Sequence, residues 1–132
     1  MNDLTIGQLA KQVKLNTETI RYYERRGLIP EPARRASGYR QYSEGDVFRL
    51  QFIQRAKALG FSLGEIKELM WLRADPDSTS GDFKERAQRK IEQIDEKIAE
   101  LERFRKALAK LAATCPGNGS AEECPILQAL ET

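Results

Sequence analysis

Residues 5–30 read TIGQLAKQVKLNTETIRYYERRGLIP, and this stretch contains the signals that begin and end two short helices. Thr5 and Gln8 have the spacing of a capping box, in which each residue satisfies a free backbone N–H of the other. A first helix is therefore predicted over residues 6–13.

The second helix is predicted over residues 17–26. Asn16 is a favoured residue just before a first helical turn, and Gly27 suits the left-handed position that ends a helix. Two short helices joined by a tight turn form a helix-turn-helix. By itself this is weak evidence for DNA binding, because many small helical domains contain such a pair.

A basic hairpin is predicted after the second helix. The prolines at positions 30 and 32 keep the chain extended, and residues 34–42 then have the pattern of a hairpin that turns near Ser37 and Gly38. This predicted wing carries three arginines and two tyrosines, namely Arg34, Arg35, Arg40, Tyr39 and Tyr42.

Two further capping boxes, beginning at Ser43 and Ser62, predict helices over residues 44–59 and 63–73. Their apolar side chains are predicted to face a common core. These are Val47, Leu50, Phe52, Ile53 and Ala56 in one helix and Ile66, Leu69, Met70 and Trp71 in the next. The polar residues 75–81, which include a proline and end in glycine, are predicted to be a linker.

Residues 82–113 are predicted to form one long helix with an apolar stripe. Apolar side chains recur at alternating spacings of four and three, interrupted only by Arg105. The stripe consists of Ala87, Ile91, Ile94, Ile98, Leu101, Leu108 and Ala112. One small domain cannot cover such a stripe, so the pattern predicts a coiled coil with a second copy of the chain. The alternative is one helix of an intramolecular bundle, for which the sequence supplies no second long amphipathic helix.

The composition argues against an enzyme. The 132 residues include no histidine, which removes the usual general base and the histidine-dependent nucleophiles. No long apolar run or secretory signal is found, so a cytoplasmic protein that does not interact with membranes is expected. Residues 1–60 contain 11 Lys and Arg against 6 Asp and Glu, and residues 61–132 contain 11 against 14. A basic first half suits a polyanion such as nucleic acid.

Two cysteines, Cys115 and Cys124, bracket eight mostly small or polar residues beyond the long helix. Pro125 predicts a short last helix capped by Cys124, and such a loop can bring both thiolates to one ion. Two soft thiolates without imidazole select thiophilic ions such as Cu(I), Ag(I), Au(I) or Hg(II), whereas Zn(II) requires four ligands. A disulfide and two unrelated buried thiols are the alternatives.

These motifs together resemble the MerR family of transcription regulators. The resemblance is carried by TETIRYYERRGLIP at 17–30, GYRQY at 38–42 and LGFSLGEI at 59–66, and it extends over essentially the whole chain. It implies a mainly α-helical fold with four parts. These are a winged helix-turn-helix with a small β wing (1–74), a linker (75–81), a long antiparallel coiled-coil dimerisation helix (82–113), and a C-terminal metal-binding loop with a short helix (114–132).

The expected DNA contacts lie on the second helix and the wing. Arg21 can reach a phosphate or a guanine edge, and one of Tyr22 and Tyr23 is expected to pack inward. The wing suits phosphate or minor-groove contacts, which make binding salt-dependent. The full predicted set is Thr17, Thr19, Arg21, Tyr22, Tyr23, Arg34, Arg35, Tyr39 and Arg40.

The C-terminal loop resembles that of the metal-responsive branch of the family, which senses mercury, zinc, lead, cadmium or copper-group ions. The divalent-ion sensors carry a third cysteine, supplied by the other subunit, where this chain has Ser80, and copper-group sensors have serine there. Ser80 is therefore a selectivity position, and the missing thiolate favours a singly charged ion. The separation of the cysteines is closer to that of mercury or zinc sensors. Cu(I) or Ag(I) is favoured, with Hg(II) next and Zn(II) less favoured.

The resemblance implies a nucleoid-associated homodimer that binds a palindromic promoter site. Such a regulator represses without metal and, when loaded, activates transcription by RNA polymerase through bending and undertwisting the DNA. The alternatives are a MerR-type regulator of redox state or of an organic ligand, a sensor of Zn(II) or another divalent ion, and a small metal-binding or redox module that carries a basic domain.

Overall fold

The computed structural model describes residues 3–31 and 41–132, and most of these residues are helical. The chain divides into two compact units, Met1–Lys84 and Glu85–Thr132. A 3₁₀ turn, Ala121–Glu123, precedes the last helix. The helices are α1 (Ile6–Val13), α2 (Thr17–Arg25), α3 (Glu44–Ala58), α4 (Leu63–Ala74), α5 (Ser80–Thr114) and α6 (Pro125–Glu131).

The predicted caps set the ends of the short helices. The Thr5 hydroxyl accepts the backbone N–H of Gln8 at 3.2 Å, and the Gln8 side chain accepts the N–H of Thr5 at 2.9 Å. The Asn16 side chain accepts the N–H of Thr19 at 2.8 Å and begins α2. Each bond satisfies an N–H that has no partner inside its helix.

Gly27 ends the second helix in the left-handed region, with a φ of 74°. A side chain here would strain the backbone, and its Cβ would lie 2.9 Å from the Lys67 Nζ. The chain can therefore leave α2 sharply and bury Leu28 and Ile29 in the core.

The core of the first unit lies among α1, α2, α3 and α4. Five of its side chains are completely buried, namely Leu9, Ile20, Leu50, Ile53 and Ile66. A hydrogen bond from the Gln54 amide to the carbonyl of Val13, 2.8 Å long, ties α3 to the end of α1. The helix-turn-helix is thus one face of a small packed bundle.

The prediction that Trp71 belongs to the core is wrong. Trp71 is 66% exposed, although Ile66 and Leu69 of the same helix are buried and Met70 is partly buried. Five residues along a helix correspond to about 140° of rotation, so Trp71 points away from the face that Ile66 presents to the core. Its ring lies 5.4 Å from the Lys67 ammonium instead.

Only the base of the predicted wing lies within the described residues. Leu4 and Tyr42 form an isolated antiparallel bridge, with N–H···O distances of 2.7 and 2.8 Å. The predicted turn near Ser37 and Gly38 lies outside the described residues. The four predicted wing contacts Arg34, Arg35, Tyr39 and Arg40 lie outside them as well.

The long helix begins at Ser80, two residues before the predicted start, and ends at Thr114. Thr79 explains the earlier start, because its backbone N–H donates to the Asp82 carboxylate at 2.9 Å in the manner of a cap. Gly81 therefore lies in the first turn of α5. The division of the chain at residues 74, 81 and 113 stays a prediction.

None of the side chains of α5 is buried. Six of its large apolar side chains are between 41% and 59% exposed, namely Ile91, Ile94, Ile98, Leu101, Phe104 and Leu108. On this helix the Arg89 guanidinium donates to the Glu85 carboxylate at 2.6 Å. Among the described residues, no helix is apolar enough over sufficient length to cross a membrane.

Candidate DNA-binding face and thiol pair

Four of the five predicted recognition residues of α2 are at least partly exposed, namely Thr17, Thr19, Arg21 and Tyr22. Thr17 and Arg21 are four residues apart and share one face of the helix. The Arg21 guanidinium donates to the exposed carboxylate of Glu18 at 2.8 Å, and its own side chain is 43% exposed. Such a surface ion pair contributes little to stability, so Arg21 can exchange Glu18 for a phosphate at small cost.

The two adjacent tyrosines have different environments. Tyr23 is 3% exposed and belongs to the core, whereas Tyr22 is 39% exposed. The prediction that one tyrosine packs inward is confirmed, and it is Tyr23. Arg26 donates to the Tyr22 hydroxyl at 3.1 Å, and the Arg25 guanidinium carbon lies 5.9 Å from the Tyr22 ring centroid.

The sequence prediction overlooked Arg25 and Arg26, which extend the positive charge of α2 past Tyr22. The sequence could have indicated these two residues, because they are adjacent arginines at the end of the predicted recognition helix. Thr19 has a more local role than expected, because its hydroxyl donates to the Asn16 side chain at 2.8 Å. Its oxygen retains capacity as an acceptor.

The two cysteines meet at the end of the second unit. Cys115 follows α5 directly, Cys124 precedes α6, and their sulfur atoms are 3.5 Å apart. Both are free and half-buried. The chain between them turns through Gly117, whose φ is 80°, and through the 3₁₀ turn. The loop was predicted to fold back and bring the two thiols together, and the short distance between the sulfur atoms confirms that prediction.

The position of Cys124 lowers the pKa of its thiol. The backbone N–H of Leu127 is the largest cause, followed by a hydrogen bond from the Cys115 thiol, while partial burial opposes the shift and the N–H of Ile126 adds to it. These N–H groups belong to the first turn of α6, where no intrahelical acceptor is available. A thiolate is the form that binds metal, so the loop favours the ligand form of Cys124.

The two thiols are close enough to share one metal ion. A metal–sulfur bond is about 2.3 Å long for zinc, so two sulfurs on one ion are separated by at most about 4.6 Å. The observed separation of 3.5 Å lies within that limit. No cluster of three or more His, Cys, Asp or Glu suited to a metal occurs in the described part of the chain. Two thiolates alone suit a soft ion better than zinc.

The acidic residues beside the thiols do not complete such a cluster. Glu122 and Glu123 are exposed, and the Glu122 backbone carbonyl accepts a hydrogen bond from Gln128 at 3.3 Å. Ser80, the predicted selectivity position, is the exposed first residue of α5.

The chain matches two family models. Residues 4–71 match "MerR HTH family regulatory protein" and residues 47–111 match "MerR, DNA binding". It is 46% identical to the mercuric resistance operon regulatory protein of Bacillus cereus over 125 residues, which cover 95% of each chain.

Two solved structures share the whole fold. The lead(II) complex of the transcription regulator PbrR691 from Ralstonia metallidurans CH34 has a TM-score of 0.84 at 35% identity, with 96% of this chain and 98% of that one covered. The mercury(II) complex of the dual function regulator from Bacillus megaterium MB1 has a TM-score of 0.73 at 39% identity, with coverage of 98% and 100%.

Proposed function

The chain belongs to the MerR family of helix-turn-helix transcription regulators, and from that premise we propose that it binds promoter DNA as a homodimer and responds to a thiophilic metal ion held by Cys115 and Cys124. The observation that carries the proposal is the pair of free thiols, 3.5 Å apart, on the same chain as a helix-turn-helix. Membership of a family of regulators agrees with the argument from composition against an enzyme.

The exposed face of α2 supports DNA as the partner. Arg21, Arg25 and Arg26 place positive charge along α2, and Arg26 donates to the hydroxyl of the partly exposed Tyr22. Such groups serve phosphate contacts and base edges. Arg34, Arg35, Tyr39 and Arg40 of the wing are proposed to add phosphate or minor-groove contacts. In this proposal Tyr23 supports the face from within the core.

The stripe on α5 supports the homodimer. Six large apolar side chains are about half-exposed along a helix of 35 residues, which leaves an apolar seam open to a second chain. The proposed interface is formed by Ala87, Ile91, Ile94, Ile98, Leu101 and Leu108. A two-fold dimer also matches the symmetry of a palindromic operator.

The donor set supports Cu(I), Ag(I) or Hg(II) over Zn(II). Two thiolates satisfy an ion that accepts low coordination, whereas zinc needs two further ligands. Relatives that regulate mercuric resistance or crystallise with lead(II) and mercury(II) support a soft heavy metal as the effector class.

The response to metal needs only a modest energy. An effector shifts a regulator between two conformers by its difference in affinity for them, and about 3 kcal/mol changes the ratio roughly a hundredfold. In the proposed switch, the loaded conformer distorts the promoter so that RNA polymerase can use it. The loop of Cys115 and Cys124 and the helix α5 are the elements that transmit the difference.

A competition titration tests the proposal. The reduced protein is titrated with Cu(I), Hg(II) and Zn(II), each against a chelator of known affinity for that ion. We expect one tightly bound soft ion per protomer and much weaker retention of Zn(II). If no ion binds tightly, and a Cys115–Cys124 disulfide forms at the redox potential of the cellular thiol pool, then redox sensing replaces metal sensing as the proposed function.

Ser80→Cys tests the selectivity position. Adding a thiol at the start of α5 raises the number of soft donors available to the dimer, so the variant is expected to gain at least about tenfold in affinity for divalent ions. Binding is measured by the same titration, with Thr79→Ser as a neighbouring control that adds no sulfur. An unchanged preference between Cu(I) and Hg(II) or Zn(II) contradicts a role for position 80.

A further inference from the structure

Arg105 interrupts the apolar stripe of α5. Between Ala87 and Ala112, it is the only charged residue at the alternating spacings of four and three. Its side chain is exposed on the single chain, and it forms no ion pair within the part of the chain that the structure describes. A charge that is buried without a partner is costly. Pairing of the stripe with a second copy therefore requires a carboxylate beside Arg105.

The spacing of the stripe selects one antiparallel pairing. In a two-fold dimer whose helices run in opposite directions, residues at equal separations from the axis face each other. With the axis between Ile98 and Leu101, every position of the stripe faces another position of the stripe. The facing positions, one from each chain, are Ala87 and Ala112, Ile91 and Leu108, Ile94 and Arg105, and Ile98 and Leu101.

The two neighbouring registers, each shifted by one heptad, match the stripe less well. In one of them, Leu108 faces Lys84 of the partner subunit. In the other, Ile91 extends past the end of the partner helix at Thr114. Each shift loses contacts between apolar side chains, so the central register buries the most apolar surface and is favoured.

Asp95 supplies the required carboxylate in the central register. It follows Ile94, which Arg105 faces, so Asp95 of the partner subunit lies next to Arg105 at the edge of the seam. Its side chain is exposed and forms no ion pair among the described residues. Within one chain the two residues are ten positions apart, about 15 Å along the helix, so they can bond only between chains.

We propose that Arg105 and Asp95 of the partner subunit form an ion pair, present twice by symmetry, that fixes the direction and register of the α5 dimer. The inference rests on the proposed homodimer and names two residues that determine which chain it accepts. A polar residue in a coiled-coil seam specifies the register at a cost in stability. Arginine suits this role because its planar guanidinium binds a carboxylate through two parallel hydrogen bonds.

The position of Arg105 also argues against parallel helices. In a parallel pair each seam residue faces its own copy, so the two Arg105 side chains would meet as like charges. The antiparallel arrangement places them on opposite sides of the two-fold axis and gives each a carboxylate. The partner that satisfies the stripe is therefore a second copy of this chain in the reverse direction.

Subunit exchange between two charge variants tests the ion pair. Homodimers of Asp95→Arg bring two positive side chains together at each contact, and homodimers of Arg105→Asp bring two negative ones together. The dimer dissociation constant of each is expected to rise about a hundredfold, from about tenfold per contact. In a mixture, the heterodimer has opposite charges at both contacts. We expect it to form more than about nine-tenths of the dimers, against about one half for random pairing.

Ion exchange or native mass spectrometry of the reduced full-length proteins counts the three species, because the dimers differ in charge and mass. Glu96→Arg is the matched control, since it makes the same charge change one residue away and outside the stripe. Mixed with Arg105→Asp, it should give random pairing. A chain carrying both Asp95→Arg and Arg105→Asp should dimerise about as well as the unsubstituted protein, which shows that neither substitution merely unfolds α5.

Random pairing of Asp95→Arg with Arg105→Asp overturns the ion pair. An excess of heterodimer between Glu102→Arg and Arg105→Asp overturns the register, because it places Arg105 beside Glu102 of the partner subunit, as in the register that extends past Thr114. The dimer itself is tested separately. If the unsubstituted protein sediments as a monomer at micromolar concentration, the homodimer is wrong, whereas a dimer with random pairing contradicts the ion pair alone.

Discussion

Replacing both Cys115 and Cys124 by serine is expected to abolish tight metal binding while leaving DNA binding intact. Mutation of an outer-shell partner of a metal ligand typically costs 10–100-fold in affinity, so loss of a direct thiolate should cost more than about 100-fold each. Serine is nearly isosteric with cysteine and is a favoured N-cap, so α6 keeps its first turn in the variant. The titration with chelator competition measures the metal affinity.

The same variant separates sensing from DNA recognition. The thiols belong to the unit Glu85–Thr132, whereas α2 belongs to Met1–Lys84, so operator affinity without metal should stay within about threefold of the unsubstituted value. Transcription in vitro with RNA polymerase should lose its metal response entirely. Ser120→Ala, in the same loop, is the matched control. Retention of a full metal response without the two thiols contradicts the proposed site.

Introducing a carboxylate into the seam of α5 is expected to break the dimer. Ile98 is 53% exposed on the single chain, so Ile98→Asp removes little packing within its own protomer. In a paired helix the new carboxylate is buried without a partner, which costs about 3–5 kcal/mol. Each dimer carries the substitution twice, so the dimer dissociation constant should rise by more than about a thousandfold.

Sedimentation at micromolar concentration measures this effect, and Gln93→Asp on the same helix outside the stripe is the matched control. Operator affinity should fall together with dimerisation, by about 10²–10⁴-fold, because two linked half-sites contribute an effective concentration that a monomer lacks. A variant that stays dimeric and binds DNA normally contradicts the seam and returns α5 to the alternative of an intramolecular helix.

The role proposed for Ser80 at the thiol pair depends on the dimer. Along the chain, Cys115 follows the last turn of α5 directly, and Ser80 begins that helix. A helix of 35 residues is about 50 Å long, so Ser80 and Cys115 of one protomer cannot contribute to a single ion. If position 80 influences metal choice, it does so from the other protomer, and Ser80→Cys in the Ile98→Asp background should have no effect.

Local signals were sufficient for most of the helices. The capping boxes at Thr5, Ser43 and Ser62 act over three residues, so their geometry follows from the sequence with little help from the rest of the fold. The start of α5 was predicted two residues late because the cap by Thr79 lies inside a stretch that resembles a linker by composition. Trp71 was wrongly assigned to the core because the prediction used its apolar character and ignored its angular position around the helix.

The family, the helix-turn-helix, the apolar seam of α5 and the two thiols could all be predicted from the sequence, since each depends on residue type at a short, regular spacing. Three facts required the folded chain: which tyrosine faces outward, the approach of the Cys115 and Cys124 sulfurs to 3.5 Å, and the contact of Tyr42 with Glu24. These facts depend on how separate elements pack against one another. Side chains from several elements fill the same core together, so their packing cannot be predicted from any one short stretch of sequence.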